Sequence, residues 1–324
     1  MRGEPARHVA AMVGLVVLGL VGYRLGSTLA GEHGQVTILV MLWTISTVGL
    51  NIIQGLGGYP SLTQASFYAG GAYISAILLQ HGHSALTASI LAVLLTMVGG
   101  LVIGLVFART RGQYFAIGTL FSCAVVSLVL VNWQTVTGGP QGKPVQLAFA
   151  PETTLRMLAA SVTLSLAVFY WLSRSRFGDR LRSIREDEDL AAHLGVPTAR
   201  VKLLALVISS AFGAWAGVLL AQRDGLIAPS QFTFAKSFLM FVAIGLGGYG
   251  RLLTPLIGSI LVVGVPELLD LEPGTSEIAL GLLFIVVTLV VPDGIIGGSQ
   301  RLAGRLTRGR RQDPSAALRS EVLP

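Results

Sequence analysis

Charged side chains are scarce in this sequence. Asp, Glu, Lys and Arg together make up 12% of 324 residues, about half of the quarter that is usual for soluble proteins. Hydrophobic residues make up 52%, and the mean hydropathy is +0.72. A water-soluble chain of this length could not cover its surface with so few charges. The composition therefore excludes a soluble globule and predicts a chain that is surrounded mostly by lipid.

Cysteine and histidine are also rare. The single cysteine, Cys123, lies in an apolar run, so it can form no internal disulfide, and we expect it to be a small core residue. Among the five histidines only His81 and His83 are close together, and two ligands do not make a metal site. The sequence therefore predicts no metal centre.

Chemical machinery is missing as well. The chain has no Gly-x-x-x-x-Gly-Lys-Ser/Thr motif, so energy for uphill transport would have to come from another subunit. The apolar runs contain essentially no ionisable residue, apart from helix-end residues such as Arg156 and Glu267, which disfavours a proton- or sodium-driven carrier. No nucleophile, acid or metal ligands converge at one depth, so we expect no enzyme.

Long apolar runs interrupted by Gly, Pro or charge predict an all-α, polytopic membrane helix bundle of about ten spans. A run of nine to fifteen residues cannot cross about 30 Å as an upright helix, so the third and eighth spans, with the ninth as a further candidate, are predicted to be re-entrant or broken. The predicted spans are 9–23, 36–53, 65–79, 85–107, 114–131, 155–172, 203–221, 238–246, 253–269 and 278–291.

Basic residues predict the orientation. With both termini in the cytoplasm, all but five of the 23 Lys and Arg residues fall on the cytoplasmic side, and the five are Arg24, Lys143, Arg156, Arg223 and Lys236. The prediction is a multi-pass membrane protein, with a transmembrane domain over residues 1–300 and a basic cytoplasmic tail over 301–324. An alternative for the first span is a cleaved secretory signal, which would leave the remaining topology unchanged.

Polar and small residues recur at helical spacing. Thr44, Thr47, Asn51 and Gln54 share one helix face, and Thr119, Ser122 and Ser127 form a looser stripe. Such groups either line a path for a polar solute or form hydrogen bonds between helices, and the sequence leaves both open. Two further patterns are Gly100 with Gly104, and Ser209 with Gly213 and Gly217, which would allow close helix contacts. The pentapeptide GLGGY occurs at 55–59 and 245–249, either as an internal repeat or by chance.

The segment 173–202 is dense with charge and too polar for the bilayer. Leu181, Ile184, Leu190 and Leu194 give it a partly amphipathic helical pattern, which Gly195 and Pro197 would terminate. We therefore expect a short cytoplasmic helix that presents Leu and Ile to a cytosolic partner.

Several ordered motifs resemble the LivM-type permeases of branched-chain amino acid ABC transporters. The stretch from Phe177 to Lys202 is similar to the cytoplasmic signature of that family, and Gly58 to Tyr73 is similar to its early Gly-x-x-Ser-Leu-Gly-His-Ala-x-Phe motif. Matches also lie at 111–120, 137–142 and 247–258. Thr63 and Gln64 replace the family's usual Gly-His pair.

The resemblance implies a second related permease subunit, two cytosolic ATP-binding subunits and an extracytoplasmic solute-binding protein. This chain would hold no cofactor, because ATP is bound by the partners. The implied solutes are branched-chain amino acids, with other amino acids, amides or urea as alternatives, and a stand-alone secondary transporter remains a further alternative. The implied ATPase-coupling residues are Phe177, Gly178, Arg182, Ile184, Arg185, Glu186, Ala191, Ala192 and Gly195.

Candidates for the translocation path are Thr44, Thr47, Asn51, Gln54, Ser61, Gln64, Thr119 and Ser122. The receptor is expected to dock on the outer segments 132–151 and 222–236, with Gly138, Gly139, Pro140 and Gly142 as the candidate contacts.

Overall fold

The computed structural model describes residues 4–28, 32–145 and 150–269, together with 278, 281 and 282. Over these residues the chain is an all-α bundle with one short antiparallel ribbon, as predicted. The α-helices are α1 (Glu4–Thr28), α2 (Glu32–Leu50), α3 (Gln64–Gln80), α4 (Ala85–Phe107), α5 (Gly112–Asn132), α6 (Gln134–Thr137), α7 (Pro151–Ser173), α8 (Arg176–Glu186), α9 (Glu188–His193), α10 (Thr198–Asp224), α11 (Phe234–Gly247), α12 (Thr254–Ser259) and α13 (Val265–Leu268).

Two wide π-helical segments continue these helices. Residues Asn51–Leu56 extend α2, and Ile260–Gly264 join α12 to α13. Shorter 3₁₀ turns lie at Gly139–Gln141 and Pro229–Phe232, and strands β1 (Lys143–Pro144) and β2 (Leu226–Ile227) form the ribbon. π-Helical turns are uncommon and often lie at functional sites.

Six helical stretches in the described ranges are long and apolar enough to cross a membrane: Gly34–Leu56, Ala85–Phe107, Gly112–Asn132, Glu152–Ser173, Thr198–Asp224 and Pro229–Gly247. Two shorter apolar helices are Val13–Arg24 and Thr254–Leu268. The predicted count of about ten spans is therefore not confirmed. The predicted tenth span, 278–291, and the basic tail lie almost entirely outside the described residues.

Helix α10 is central to the bundle and packs against α2, α3 and α4. Its contacts depend on glycine: a Cβ atom at Gly217 would collide with the Tyr68 carbonyl of α3, and one at Gly100 would lie 2.7 Å from Ser210 Cβ. Close backbone approach at small residues is the usual way in which membrane helices associate. The predicted roles of Gly100, Gly104, Gly213 and Gly217 at helix contacts are thus confirmed.

Helices α4 and α5 lie at the periphery. Their outward side chains are large and apolar, among them Leu86, Leu105, Phe121 and Leu128, each at least 62% exposed. Because such a surface is unfavourable in water, this face suits lipid or another membrane subunit. Cys123 is fully buried in α5, as predicted.

The predicted cytoplasmic segments meet at one end of the bundle, and the predicted outer segments meet at the other. At the outer end, Lys143 pairs with Ile227 in the ribbon, Gln80 donates a 2.7 Å hydrogen bond to the Pro144 carbonyl, and Arg223 donates to Gln35. The ribbon joins the two segments that were predicted to receive the receptor. The arrangement agrees with alternating insertion of the helices.

Candidate functional site

The charged segment 173–202 folds as two short helices, where the sequence predicted one. Ser175 caps α8 by accepting a hydrogen bond from Gly178 N, and Asp187 ends that helix and begins the next. The Asp187 carboxylate accepts from the amides of Asp189 and Leu190, which is the usual N-cap arrangement. The predicted continuous helix was therefore wrong at Asp187, because its side chain competes for the helical amides. Termination near Gly195, which has φ +85°, is confirmed.

The apolar stripe of this segment is divided between two environments. Leu181 and Ile184 on α8 are buried against the bundle, at 0% and 3% exposure. Leu190 on α9 and Leu194 just after it are exposed, at 57% and 76%. Only the second pair is available to a partner, so the prediction that the whole stripe faces outward was wrong for α8.

Gly178 and Arg182 fix the position of α8. A Cβ atom at Gly178 would lie within 2.8 Å of the Ser173 carbonyl oxygen, so α8 begins in close contact with the end of α7. Arg182 holds the same junction, through Asp179 at 3.0 Å and the Ser173 carbonyl at 2.5 Å. Phe177 packs against the core and Ala191 lies within it, whereas residues Glu186, Ala192 and Gly195 are exposed.

Arg185 connects α8 to the two glycine-rich turns. Its Nη1 donates a 2.6 Å hydrogen bond to the Gly55 carbonyl, and its guanidinium lies 5.8 Å from the Tyr249 ring centroid. Gly55 and Gly250 touch so closely that a Cβ on Gly55 would lie 2.6 Å from Gly250 N. The GLGGY copies therefore meet at this end of the bundle, next to Arg185. Cavities of about 240 and 360 Å³ lie on either side of the arginine.

Lys202 is a functional candidate that the sequence reasoning missed. Its side chain is 1% exposed, and Nζ lies 2.5 Å from Glu188 Oε1 and 3.0 Å from the Thr110 carbonyl. The ammonium also stands 4.1 Å from the centroid of the Tyr59 ring. Burial, followed by the nearby Glu188, raises the pKa of Tyr59 well above its usual range, so this ring is neutral.

The predicted polar stripe of α2 is buried and forms hydrogen bonds between helices. Asn51 Nδ2 donates to the Arg251 carbonyl at 2.9 Å, and its Oδ1 accepts from Gly250 N at 3.0 Å. Thr47 lies 3.4 Å from Ser259, whereas Thr44 bonds only to Val40 of its own helix. In this arrangement Thr44, Thr47 and Asn51 line none of the cavities described above, and their role in a path stays a prediction.

The remaining path candidates lie on neighbouring elements. Gln64 is fully buried and connects α2 to α10, since Nε2 donates to the Ser46 carbonyl at 2.8 Å and Oε1 accepts from Ser209. Thr119 accepts from Leu62 N, and Ser122 bonds to Gly118 of its own helix. Two atoms of these candidates, Gln54 Oε1 and Ser61 Oγ, are among seven buried side-chain oxygens that lack a partner within the described structure. Their role in binding water or solute stays a prediction.

The receptor candidates form a tight turn at the ribbon end of the bundle. Gly138, Gly139 and Gly142 have φ of 79°, 58° and 79°, a region that favours glycine, and Pro140 stands in the 3₁₀ turn between them. A Cβ on Gly142 would lie 3.1 Å from Ala228 Cα, which belongs to the other outer segment. A receptor contact at these residues stays a prediction.

The described residues thus form an all-α membrane bundle with a polar two-helix segment folded against one end, an architecture compatible with a transport permease. The sequence comparisons agree: residues 33–291 match the family described as the branched-chain amino acid transport system permease component. The chain belongs to this family.

Known relatives come from bacteria and archaea. The chain is 32% identical to the high-affinity branched-chain amino acid transport system permease protein LivM of Escherichia coli, over 81% of this chain and 69% of the relative. It is 29% identical to LivH of Salmonella typhimurium, over 79% of this chain and 91% of that protein. A probable LivM of Methanocaldococcus jannaschii is 30% identical over 62% of this chain and 61% of its own length. No solved structure matches the chain.

Proposed function

We propose that this chain is a membrane-spanning permease subunit of an ABC importer for branched-chain or closely related amino acids. It would form part of the translocation path and carry out no catalysis or cofactor binding itself. ATP would be bound by two cytosolic subunits, and a second related permease would complete the membrane pore. The similarity to both LivM and LivH proteins supports such a pair.

The observation that carries this proposal is the difference in burial between the two helices of segment 173–202. Helix α8 buries Leu181 and Ile184 against the bundle, and α9 leaves Leu190 and Leu194 exposed. One helix is therefore attached to the membrane domain, and the other offers an apolar surface among charges. This is the arrangement expected of a coupling element that transmits closure of cytosolic ATPases to the bundle.

The finer topology belongs to the same proposal. Both termini would lie in the cytoplasm, the ribbon end would face the receptor, and about ten spans would be completed by the apolar stretch 278–291. The excess of basic residues in the segments around α8 and α9 supports this orientation.

Reconstitution into proteoliposomes tests the function. Vesicles carrying this chain with its companion permease and ATP-binding subunits should accumulate labelled leucine only when ATP and the loaded receptor are both supplied. Uptake by the isolated chain without ATP would instead support the alternative of a secondary transporter. Uptake of urea or an amide in place of leucine would support the solute alternative.

Charge reversal tests the role of Arg185. In Arg185→Glu the bond to the Gly55 carbonyl is lost and a carboxylate faces that oxygen, so receptor-stimulated ATP hydrolysis and uptake should both fall. The matched control is Arg180→Glu, which makes the same charge change at an exposed site on the same helix. Unchanged uptake and ATPase stimulation in Arg185→Glu would contradict a role in coupling.

A further inference from the structure

Lys202 brings four separate segments together. Its ammonium bonds to the α4–α5 turn at Thr110 and to α9 at Glu188, and it contacts the Tyr59 ring in the loop that follows the π-helix of α2. Lys202 itself lies in the second turn of α10. Arg111, in the α4–α5 turn, adds a second connection through ion pairs with Glu188 and Asp189.

Stability alone is a weak reason for a buried charge in this position. Removing an ammonium and a carboxylate from water is costly, and a well-packed apolar pair is often at least as stable. The Lys202 and Glu188 side chains are 1% and 17% exposed, whereas Arg156 and Glu152 pair at 63% and 70% exposure. What the buried pair supplies is a fixed geometry between two elements.

That geometry joins the exposed surface of segment 173–202, the proposed coupling segment, to the central helix α10. Glu188 is the first residue of α9, and Leu190 and Leu194, the exposed apolar residues, follow within six positions. The backbone connection from α9 to α10 is a loop of four residues, 194–197, in which Gly195 has φ +85°. Helix α10 packs against α2, α3 and α4. The ion pair between Glu188 of α9 and Lys202 of α10 would therefore transmit a displacement of α9 to the bundle.

We propose that Lys202 is a positioning residue for coupling: through Glu188 it makes α9 and the start of α10 move as one body. This inference rests on the proposed function and adds the route by which ATPase movement reaches the membrane domain. Lys202 touches neither ATP nor solute in this scheme. Its removal should separate ATP hydrolysis from uptake, leaving assembly intact.

The first test measures leucine uptake per ATP hydrolysed in the full reconstituted transporter. Lys202→Met and Glu188→Gln should each lower this ratio by about fivefold or more, the lower end of typical coupling factors, with the subunits still co-purifying. Lys202→Arg keeps the charge and should retain more of the ratio than Lys202→Met. The matched control, Arg156→Met, removes a cation from an exposed ion pair and should leave the ratio unchanged.

The second test measures movement directly and does not depend on transport. Spin labels at His193→Cys and Leu204→Cys, both exposed positions outside the apolar pair Leu190 and Leu194, report the distance between the end of α9 and α10 in a Cys123→Ala background. In the protein with Lys202 intact, the distribution of distances between the two labels should be narrow, with the same mean in nucleotide-free and ATP-trapped complexes. Lys202→Met should broaden this distribution.

The outcomes separate the two proposals. If the unmodified complex shows no ATP-dependent leucine uptake, the proposed function is wrong. If it transports but the ratio is unchanged in both Lys202→Met and Glu188→Gln, the positioning role is wrong. A wild-type label distance that changes between nucleotide states would also overturn it. Should Lys202→Met fail to assemble, Glu188→Gln and the wild-type distances decide.

Discussion

At the scale of single residues, glycine determines how closely the helices of this bundle approach. A Cβ atom at Gly71 would lie within 2.6 Å of the Ala214 Cα on α10, so both helix backbones would have to move apart. Gly99 on α4 has no atom within 4 Å of a Cβ built there. The two positions differ in their surroundings, and both lie in helix interiors.

Gly71→Ala should therefore destabilise the protein by about 1–3 kcal/mol, the usual cost of overpacking a close contact. Gly99→Ala should be neutral or stabilise by about 0.5–1 kcal/mol, because alanine loses less conformational entropy in a helix. The midpoint of thermal unfolding in detergent measures both. Equal midpoints for the two variants would show that the α3–α10 contact is looser than described.

The polar stripe of α2 gives a second prediction at this scale. Asn51→Leu leaves Gly250 N without its acceptor, which should cost about 1–3 kcal/mol, whereas Thr44→Val loses a bond within one helix and should cost about 1 kcal/mol or less. Unfolding midpoints and leucine uptake are measured together. A large loss of uptake in Thr44→Val without loss of stability would favour the path over the hydrogen-bonding interpretation.

Sequence reasoning identified these residues but could not choose between their roles. Spacing placed Thr44, Thr47 and Asn51 on one face correctly, because helical periodicity is local. The partners Ser259, Gly250 and Arg251 lie about 200 residues away in the chain, and no local pattern encodes them. Lys202 was missed for the same reason: it follows a charged loop in sequence, and only the fold closes Glu188, Tyr59 and Thr110 around it.

At the scale of elements, α9 is the part of the coupling segment that is free to bind a partner. Leu190→Asp combined with Leu194→Ser should abolish co-purification of the ATP-binding subunits, because it replaces the exposed apolar pair with polar groups. Leu204→Ser is the control, since it changes an apolar side chain of similar exposure, 52%, on the membrane helix α10. Retention of the ATP-binding subunits by the double variant would place the docking surface elsewhere.

Elements with a strong local signal were predicted well, and irregular ones were not. The predicted span 85–107 coincides with α4, and 114–131 falls within α5, since both are long apolar runs bounded by Gly, Arg or Ser. The β1–β2 ribbon has two residues per strand and shows no periodic pattern. The break at Asp187 was missed because an amphipathic stripe continues across it, although the Asp N-cap followed by Glu188 and Asp189 was a readable signal.

At the scale of the whole molecule, the orientation in the membrane is the main open prediction. In a Cys123→Ala background, His83→Cys at the outer turn should react with a membrane-impermeant thiol reagent on intact cells. Ser183→Cys in α8 should react only after permeabilisation. Labelling efficiency on each side measures this, and the reverse pattern would invert the proposed topology and remove α9 from contact with cytosolic ATPases.

The class of the protein could be predicted from composition and motifs, because hydropathy and charge asymmetry act over the whole chain. The number of spans could not, since short segments such as 253–269 are helical but interrupted by a π turn. A run of hydrophobic letters does not distinguish a helix that crosses the bilayer from one that enters and stops within the bundle.

The π-helical turn Asn51–Leu56 accommodates an extra residue at the place where Arg185 donates its hydrogen bond to the Gly55 carbonyl. Deleting one residue from this turn would let it close to an ordinary α-helix while the flanking residues keep their register, because the extra residue is the one that the wide turn accommodates. The Gly55 carbonyl, which lies inside the turn, would then change its position relative to the guanidinium. The contact between the second helix and α8 therefore depends on the wide turn keeping its extra residue.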